Sequence, residues 1–378
     1  MPRVYNYLTG LYSGGIESYL TGICAEMKSA GAEFIVLTHF KTQEGKIYEQ
    51  RLLEGGARLV HLADRCEGRL TRLFKLAAYM RRNMKKDDVL CLHSCTMECY
   101  PYAVVAHLLG IHNVVYFAHN VPYLPEQGKV KRVLARALRD VFGKIPMRRL
   151  ACSQMAGEQF FGKGVPFQSI YYAVASARFR FDAQKRESVR RQWGVGPDEF
   201  VVGQVARLVF QKNHMFTLSI FKELKKTGMN CRLVLIGEGS DREKVVSAIE
   251  ENALQKDVLL LDPTDQVQDC FFAFDCFVFP SHYEGLGIVA LEAQACGLPI
   301  ICSENIPQEA FVSRLIWREE LASPDRWVER LCSIQKMRVD RATASREGME
   351  DVVRAGHTAE NAVRELLSIF AEGPRGRS

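Results

Sequence analysis

Short runs rich in apolar and β-branched residues alternate with helix-like stretches along this chain, and after a break the alternation starts again. Consecutive parallel strands need a crossover, usually a helix, so this alternation predicts an α/β fold with doubly wound parallel sheets. In the first half Phe34 to Phe40, Arg58 to Leu62, Val89 to Leu92, Val114 to Ala118, Arg149 to Ser153 and Phe167 to Tyr172 read as strands. The stretch from Val174 to Asp198 is charged, lacks a strand pattern and holds Gly194, Gly196 and Pro197, so it reads as an interdomain connection. Alternation resumes with Phe200 to Ala206, Arg232 to Ile236, Val258 to Leu261, Cys276 to Phe279 and Pro299 to Cys302. Several of these are apolar on both faces, as strands covered by helices on both sides are. The 378 residues exceed what one ordinary core organises. Two Rossmann-like domains are therefore expected, over 1–173 and 200–355, with a connection over 174–199. A last helical segment, 356–378, begins no further strand and is expected to cross back to the first domain.

Charge is divided unevenly between the halves. Residues 1–180 hold 25 Lys and Arg against 14 Asp and Glu, and residues 181–378 hold 25 against 30. A net +11 on the first half suits an anionic partner, either nucleic acid or an anionic membrane surface. Nucleic acid is disfavoured, because the cations are not interleaved with stacking aromatics and no known binding module appears. The stretch from Lys129 to Arg149 carries eight cations against Asp140 alone, with Val130, Val133, Leu134, Ala137, Leu138, Val141 and Phe142 at helical spacing. Such a helix suits an anionic lipid surface, although the same stripe would serve a solvated helix packed on its own sheet. No apolar run reaches the roughly 18 residues of a membrane span and no cleavable leader is apparent. A cytoplasmic protein, peripheral on the inner face of the membrane, is the expectation. The 12 cysteines agree, since Cys24, Cys231, Cys270, Cys276, Cys296 and Cys302 fall in apolar stretches as buried reduced thiols do.

Four stretches carry chemistry. Ser13-Gly14-Gly15-Ile16-Glu17 lies between the first strand and a helix; its glycines allow close approach of a phosphate to a helix N-terminus, and equally allow a structural turn. A third glycine at dinucleotide-fingerprint spacing is missing, which disfavours NAD. His119 follows the strand Val114 to Ala118, where ligands of open α/β sheets sit. Arg207 and Lys212 end another strand, and two cations five residues apart suit a pyrophosphate that gains charge as its bond to a sugar breaks. The fourth stretch, Pro280 to Ala293, follows a buried strand. Gly285 and Gly287 open a helix whose free N–H groups can cradle a phosphate, and Glu292 interrupts an otherwise apolar run from Ile288, placed to reach back toward a ribose diol. His93, Cys95 and Cys99 lack a fourth ligand at metal-site spacing and read instead as a buried strand end.

Together these stretches resemble the retaining glycosyltransferases of family 4, which have the GT-B fold of two Rossmann-like domains facing a cleft. The resemblance covers nearly the whole chain in order: the Gly-Gly-x-Glu loop, the strand-end His119, the Arg207-x4-Lys212 pair, and Glu284-x7-Glu292. It is closest to the branch that builds bacterial capsular and exopolysaccharide units, through Gln211 to His214, Glu284 to Gly287 and Gln294 to Pro299. The resemblance implies that Gly14 and Gly15 lie near the donor phosphate, that His119 contacts the transferred sugar, and that Arg207 and Lys212 bind the diphosphate. It places Glu284 on sugar hydroxyls, Glu292 on the ribose, and Gly285, Leu286, Gly287 and Ile288 in the donor site with the turn Gly237-Glu238-Gly239. The implied reaction moves a hexose or N-acetylhexosamine from a nucleotide-sugar, a UDP-sugar foremost, to a glycan or polyprenyl-diphosphate-linked acceptor. The resemblance implies no metal or other cofactor, cations and helix N-termini taking that role, and no Asp-x-Asp motif argues otherwise. Ser303 to Pro307 and Leu261-Asp262-Pro263 depart from the family pattern, which weakens the assignment of the base. A nucleotide-sugar epimerase of the same fold and a non-catalytic relative are the alternatives.

Overall fold

A computed structural model of the protein describes residues 3–12, 14–42, 45–94, 99–121, 145–170, 172–174 and 176–372. The chain divides into two compact units, one formed by the residues up to Ala173 with those from Ala359 on, the other by Val174–Thr358.

The first unit is built on a seven-stranded parallel sheet. Its strands are β1 (Arg3–Leu8), β2 (Glu33–Phe40), β3 (Arg58–Ala63), β4 (Val89–Ser94), β5 (Val114–Ala118), β6 (Arg148–Ala151) and β7 (Gln168–Ser169), in spatial order β3-β2-β1-β4-β5-β6-β7. All strands run the same way, and the order in which they are added reverses between β1 and β4, which makes that central pair the switch point. On one face, Leu76 and Met80 of helix Arg69–Asn83, Tyr100, Ala103 and Ala106 of helix Tyr100–Leu108, and Phe160 form one core with Tyr5, Tyr7, Leu90, Leu92 and Tyr116. Alternate strand residues point the other way, where Tyr19 of helix Gly15–Ser29 meets His93 and Phe117. The C-terminal helix Ala359–Ala371 packs on that same helix; Ala362, Val363, Leu366, Ile369 and Phe370 recur at helical spacing and are buried. Arg148 and Arg149, counted above with a basic helix, stand in β6. The rest of that expected helix, 129–144, lies outside the described residues.

The second unit holds a six-stranded parallel sheet of β8 (Phe200–Val205), β9 (Cys231–Ile236), β10 (Val258–Leu261), β11 (Cys276–Phe279), β12 (Ile300–Ser303) and β13 (Ile316–Glu319). The order β10-β9-β8-β11-β12-β13 puts its switch point between β8 and β11. The stretch read as a connection is mostly part of this unit. Its helix Ala183–Gln192 packs on helix Val267–Ala273, and its arginines satisfy that helix's terminal carbonyls. Arg186 donates to the carbonyls of Phe272 (2.8 Å) and Phe274 (3.0 Å), Arg190 donates to that of Ala273 (3.1 Å), and both reach Asp275. Cations at a helix C-terminus meet carbonyls that have no intrahelical donor, so charge that looks solvated in sequence is structural here. Arg341 acts likewise on Phe274, Phe271 and Cys296, the last capping helix Ile288–Ala295.

Candidate functional site

Each unit collects polar side chains at the C-terminal ends of the strands flanking its switch point, where open α/β sheets receive ligands.

In the second unit the loops after β8 and β11 are laced together. Gln204 is a polar residue within β8 and fully buried; its amide donates to the Lys212 carbonyl at 2.8 Å and accepts from the Thr217 hydroxyl at 2.7 Å. That fixes the loop on which Lys212 rides. Gln211 donates to the carbonyl of Tyr283 (2.8 Å) and to the Glu284 carboxylate (3.3 Å), while the His282 amide donates to the Gln211 carbonyl at 2.9 Å. Lys212 Nζ then donates to Glu284 Oε1 at 2.5 Å, with its ammonium 5.4 Å from the centre of the Phe279 ring. Phe210 and His282 stack at 4.5 Å across the same two loops. Lys212 and Glu284, assigned separately to diphosphate and sugar by resemblance, therefore form a pair. Arg207 is exposed and makes no ion pair among the described residues.

The turn Gly237-Glu238-Gly239 follows β9 and lies against the β8 loop. The Leu208 amide donates to the Glu238 carbonyl at 2.7 Å, and a Cβ on Gly237 (φ +151°) would stand 2.0 Å from the Ala206 oxygen. Only glycine lets the two backbones approach this closely. Gly237 is buried and Glu238 exposed. After β11, Gly285 and Leu286 are buried, and Gly287 (φ +87°) is the N-cap of helix Ile288–Ala295, where no side chain caps the helix. Glu292 is half-buried one turn into it, as Ile288 is at its start.

In the first unit the loop after β1 brings a carboxylate of the chain's own to the start of the following helix. Glu17 is buried, and its carboxylate accepts from the Tyr12 amide at 2.8 Å, close to where a Cβ on Gly14 would lie. This carboxylate already supplies negative charge at the N-terminus of helix Gly15–Ser29. Gly14 and Gly15 thus border an acid, and a Cβ on Gly15 would meet the Tyr172 ring at 3.5 Å.

His119 is only 7% exposed and both its ring nitrogens are engaged. Nε2 lies 2.7 Å from His93 Nδ1, and Nδ1 is bonded to the Tyr172 hydroxyl. His93 Nε2 in turn lies 3.0 Å from Asn6 Oδ1. Desolvation pushes the His93 pKa down to about 3 and holds His119 well below the ordinary histidine value, the neighbouring His93 adding to the effect. Both rings are neutral near pH 7. A sugar contact by His119 must therefore compete for a nitrogen already in use. Asn6, Tyr172 and Gln204 were not picked out by function in the sequence; His93 was weighed only as a metal ligand, and Gln211 only as part of the stretch Gln211 to His214. The signal was a polar residue interrupting a buried strand, present at Asn6 in β1, His93 in β4 and Gln204 in β8. His93 does not meet Cys99 in any metal-like set, and Cys95 lies outside the described residues.

Comparison with known proteins covers both units. Residues 13–173 match the family Glycosyltransferase Family 4, and residues 185–314 match Glycosyl transferases group 1. EpsF of Bacillus subtilis, described as a glycosyltransferase, is 26% identical over 97% of this chain and 96% of its own. The Escherichia coli UDP-Gal:alpha-D-GlcNAc-diphosphoundecaprenol alpha-1,3-galactosyltransferase is 24% identical over 60% of each chain. Among solved structures, Anabaena HepE in complex with UDP-glucose gives a TM-score of 0.80 at 17% identity, over 97% of this chain and 100% of HepE. WaaG, involved in lipopolysaccharide biosynthesis, gives 0.74 at 16% identity over 98% and 100%. At these identities the structural likeness speaks for the fold.

Proposed function

The chain belongs to the family 4 glycosyltransferases with the GT-B fold, and from that premise we propose that it transfers a hexose or N-acetylhexosamine, with retention and without a metal, from a UDP-sugar to a lipid-linked glycan in surface polysaccharide synthesis. The observation that carries this reading is the convergence at the β8/β11 switch point. Exposed Arg207, Lys212 with Glu284, the glycine turn at Gly237 and the uncapped helix start at Gly287 all follow the C-terminal ends of the neighbouring strands β9, β8 and β11. A UDP-sugar needs such a site, with cations for the diphosphate, acceptors for sugar hydroxyls and a carboxylate, Glu292, for the ribose.

In the proposed step the bond from the anomeric carbon to the diphosphate oxygen breaks and its electron pair goes to that oxygen. Arg207 and Lys212 balance the charge that develops, the role a divalent cation would otherwise fill. The acceptor hydroxyl attacks on the same face and gives its proton to the departing phosphate oxygen. The products are the glycosylated acceptor and UDP, and no carboxylate nucleophile takes part. The Escherichia coli relative, named for a diphosphoundecaprenol acceptor, supports a lipid-linked acceptor here. A membrane-facing surface is supported by helix Arg69–Asn83, which contains no Asp or Glu, exposes Leu70 (71%) and Phe74 (72%) in its first turns and carries Arg81 and Arg82 in its last. No helix among the described residues is long and apolar enough to cross a membrane.

The test begins with thermal unfolding of the protein against UDP-, GDP- and ADP-sugars. It continues with UDP release in the presence of a polyprenyl-diphosphate-linked sugar, and with the anomeric configuration of the product read by NMR. UDP-sugar stabilisation, an α-linked product and activity that persists in EDTA are expected. Release of an epimerised nucleotide-sugar, or a strict need for Mg²⁺ or Mn²⁺, would overturn the reading.

A further inference from the structure

The chain of polar groups that begins at Asn6 assigns every proton along it. The Asn6 amide nitrogen faces the carbonyls of Val4 (3.5 Å) and Ile35 (3.3 Å), which only accept, so its oxygen is turned to His93. That oxygen also only accepts, and His93 Nε2 must carry a hydrogen. A neutral imidazole has one N–H, which leaves His93 Nδ1 as an acceptor for His119 Nε2–H at 2.7 Å. His119 Nδ1 is then a bare lone pair, and the Tyr172 hydroxyl donates to it. The opposite assignment would set two acceptors face to face at Asn6 and His93.

We propose that Asn6 and His93 are positioning residues that fix His119 as a neutral hydrogen-bond acceptor at Nδ1, and that a donor-sugar hydroxyl replaces the Tyr172 hydroxyl there. The proposal rests on the reading of His119 as a sugar contact, and adds which atom makes it, in which tautomer, and what sets that tautomer. It fits the surroundings of the pair. Tyr19, from helix Gly15–Ser29, lies 6.2 Å from the His93 ring and 5.7 Å from the His119 ring, and Phe117 stacks on His119 at 4.2 Å. The titratable groups facing the pair are Tyr19 and Tyr172, with Cys91 on β4 and Glu365 of the C-terminal helix acting on Tyr19. Neither imidazole meets a carboxylate among the described residues, so nothing there favours the imidazolium. A sugar hydroxyl donating to Nδ1 keeps its own oxygen free to accept from solvent or protein, whereas a cationic His119 would offer only N–H donors.

The direct test is ¹⁵N NMR of the full-length protein labelled at histidine. Both rings should be neutral from pH 6 to 8, each with hydrogen on Nε2 and a pyridine-like Nδ1; a hydrogen on Nδ1 of either ring overturns the proposal. Asn6→Asp supplies the second arm. A carboxylate beside His93 favours its imidazolium, whose new Nδ1–H forces His119 to move its hydrogen to Nδ1 and lose the acceptor. Turnover of UDP-glucose, UDP-galactose or UDP-N-acetylglucosamine, whichever the wild type uses, should then fall about tenfold per pH unit below the new His93 pKa, while the wild-type profile lacks that limb. Parallel profiles for Asn6→Asp and wild type, with His119→Ala inactive, would refute the positioning role. Wild-type turnover in His119→Ala would instead remove the sugar contact itself, whatever the tautomers.

Discussion

The Lys212 ammonium lies 2.5 Å from a Glu284 carboxylate oxygen, joining the loops that follow two neighbouring strands. Gln211 bonds the other carboxylate oxygen at 3.3 Å, so Glu284 keeps one partner if Lys212 is lost. Lys212→Ala should lower transfer by a factor on the order of 10²–10³, because one fixed cation is missing as the diphosphate departs. It should also lower stability by about 1–3 kcal/mol, since a largely buried carboxylate loses a partner. Glu284→Gln preserves shape and should reduce turnover similarly with a smaller change in melting temperature. Steady-state kinetics with thermal unfolding reads both; unchanged turnover in Lys212→Ala removes the donor-site assignment.

Gly237 is where the β9 turn touches the β8 loop. An alanine there places its Cβ 2.0 Å from the Ala206 carbonyl oxygen at a φ of +151°. The backbone must move, at a cost of roughly 1–3 kcal/mol for the strain alone. Gly237→Ala should lower the urea midpoint and weaken stabilisation by UDP-sugar together, because the displaced strand end carries Arg207. A variant that keeps full UDP-sugar stabilisation would show that the turn does not shape the donor site.

His214 opens the helix His214–Lys226, is 3% exposed, and has no partner for either ring nitrogen among the described residues. Burial, helped by Lys212, pushes its pKa down to about 4, and burial alone takes His93 to about 3. Both folded values lie below the unfolded value near 6.5. The unfolded chain therefore binds more protons, and stability that is whole above about pH 6.5 declines as pH falls toward 4, at up to about 1.4 kcal/mol per pH unit for each ring. The melting temperature should drop over that window. His214→Leu should leave stability at pH 7 unchanged or raised, since two unpaired nitrogens are removed, and should make the acid decline shallower. An equally steep decline in that variant would count against the buried neutral ring.

Much of the fold was legible because central strands must be apolar on both faces. Val114 to Ala118 and Cys276 to Phe279 match their sequence bounds, and each pairs with a parallel strand on both sides. Edge strands were legible where they stay apolar, as in Val258 to Leu261, and not where they carry charge or are short. β13, Ile316-Trp317-Arg318-Glu319, pairs on one side only and carries charge, and β7 shrinks to two residues where a six-residue run was expected. The candidate site was readable where glycines or cations stand at strand ends. Its supporting groups were not, because Asn6, His93 and Gln204 act by bonds to distant residues, such as Asn6 to Ile35 and Gln204 to Lys212. At the Gly14-Gly15 motif, which allows a phosphate turn and a structural turn alike, the fold brings in the Glu17 carboxylate, bonded to the Tyr12 amide.

Helix Arg69–Asn83 gives the membrane proposal a surface that can be altered without touching either strand-end cluster. Leu70 and Phe74 stand one turn apart and are largely exposed, while Leu76 and Met80 of the same helix are buried in the core. Arg81, Arg82, Lys85 and Lys86 follow, all exposed. Apolar side chains that can enter the lipid, followed along the same segment by cations that meet anionic headgroups, make a peripheral binding face. Each cation near such a surface contributes about 1 kcal/mol, so reversing Arg81 and Arg82 to Glu should weaken binding by about 30-fold or more. Phe74→Ser should weaken it through the lost apolar insertion, and by a similar factor at every salt concentration at which the wild type still binds. Co-sedimentation with vesicles checks this: strong binding to vesicles containing anionic lipid, little to neutral ones, and release of the wild type by about 0.5 M salt, where the screening length shrinks to a few ångström. UDP-sugar turnover on a water-soluble acceptor should be unchanged in all three substitutions. Equal binding to neutral and anionic vesicles, or no loss on charge reversal, would leave the glycosyltransferase fold in place and take the membrane away.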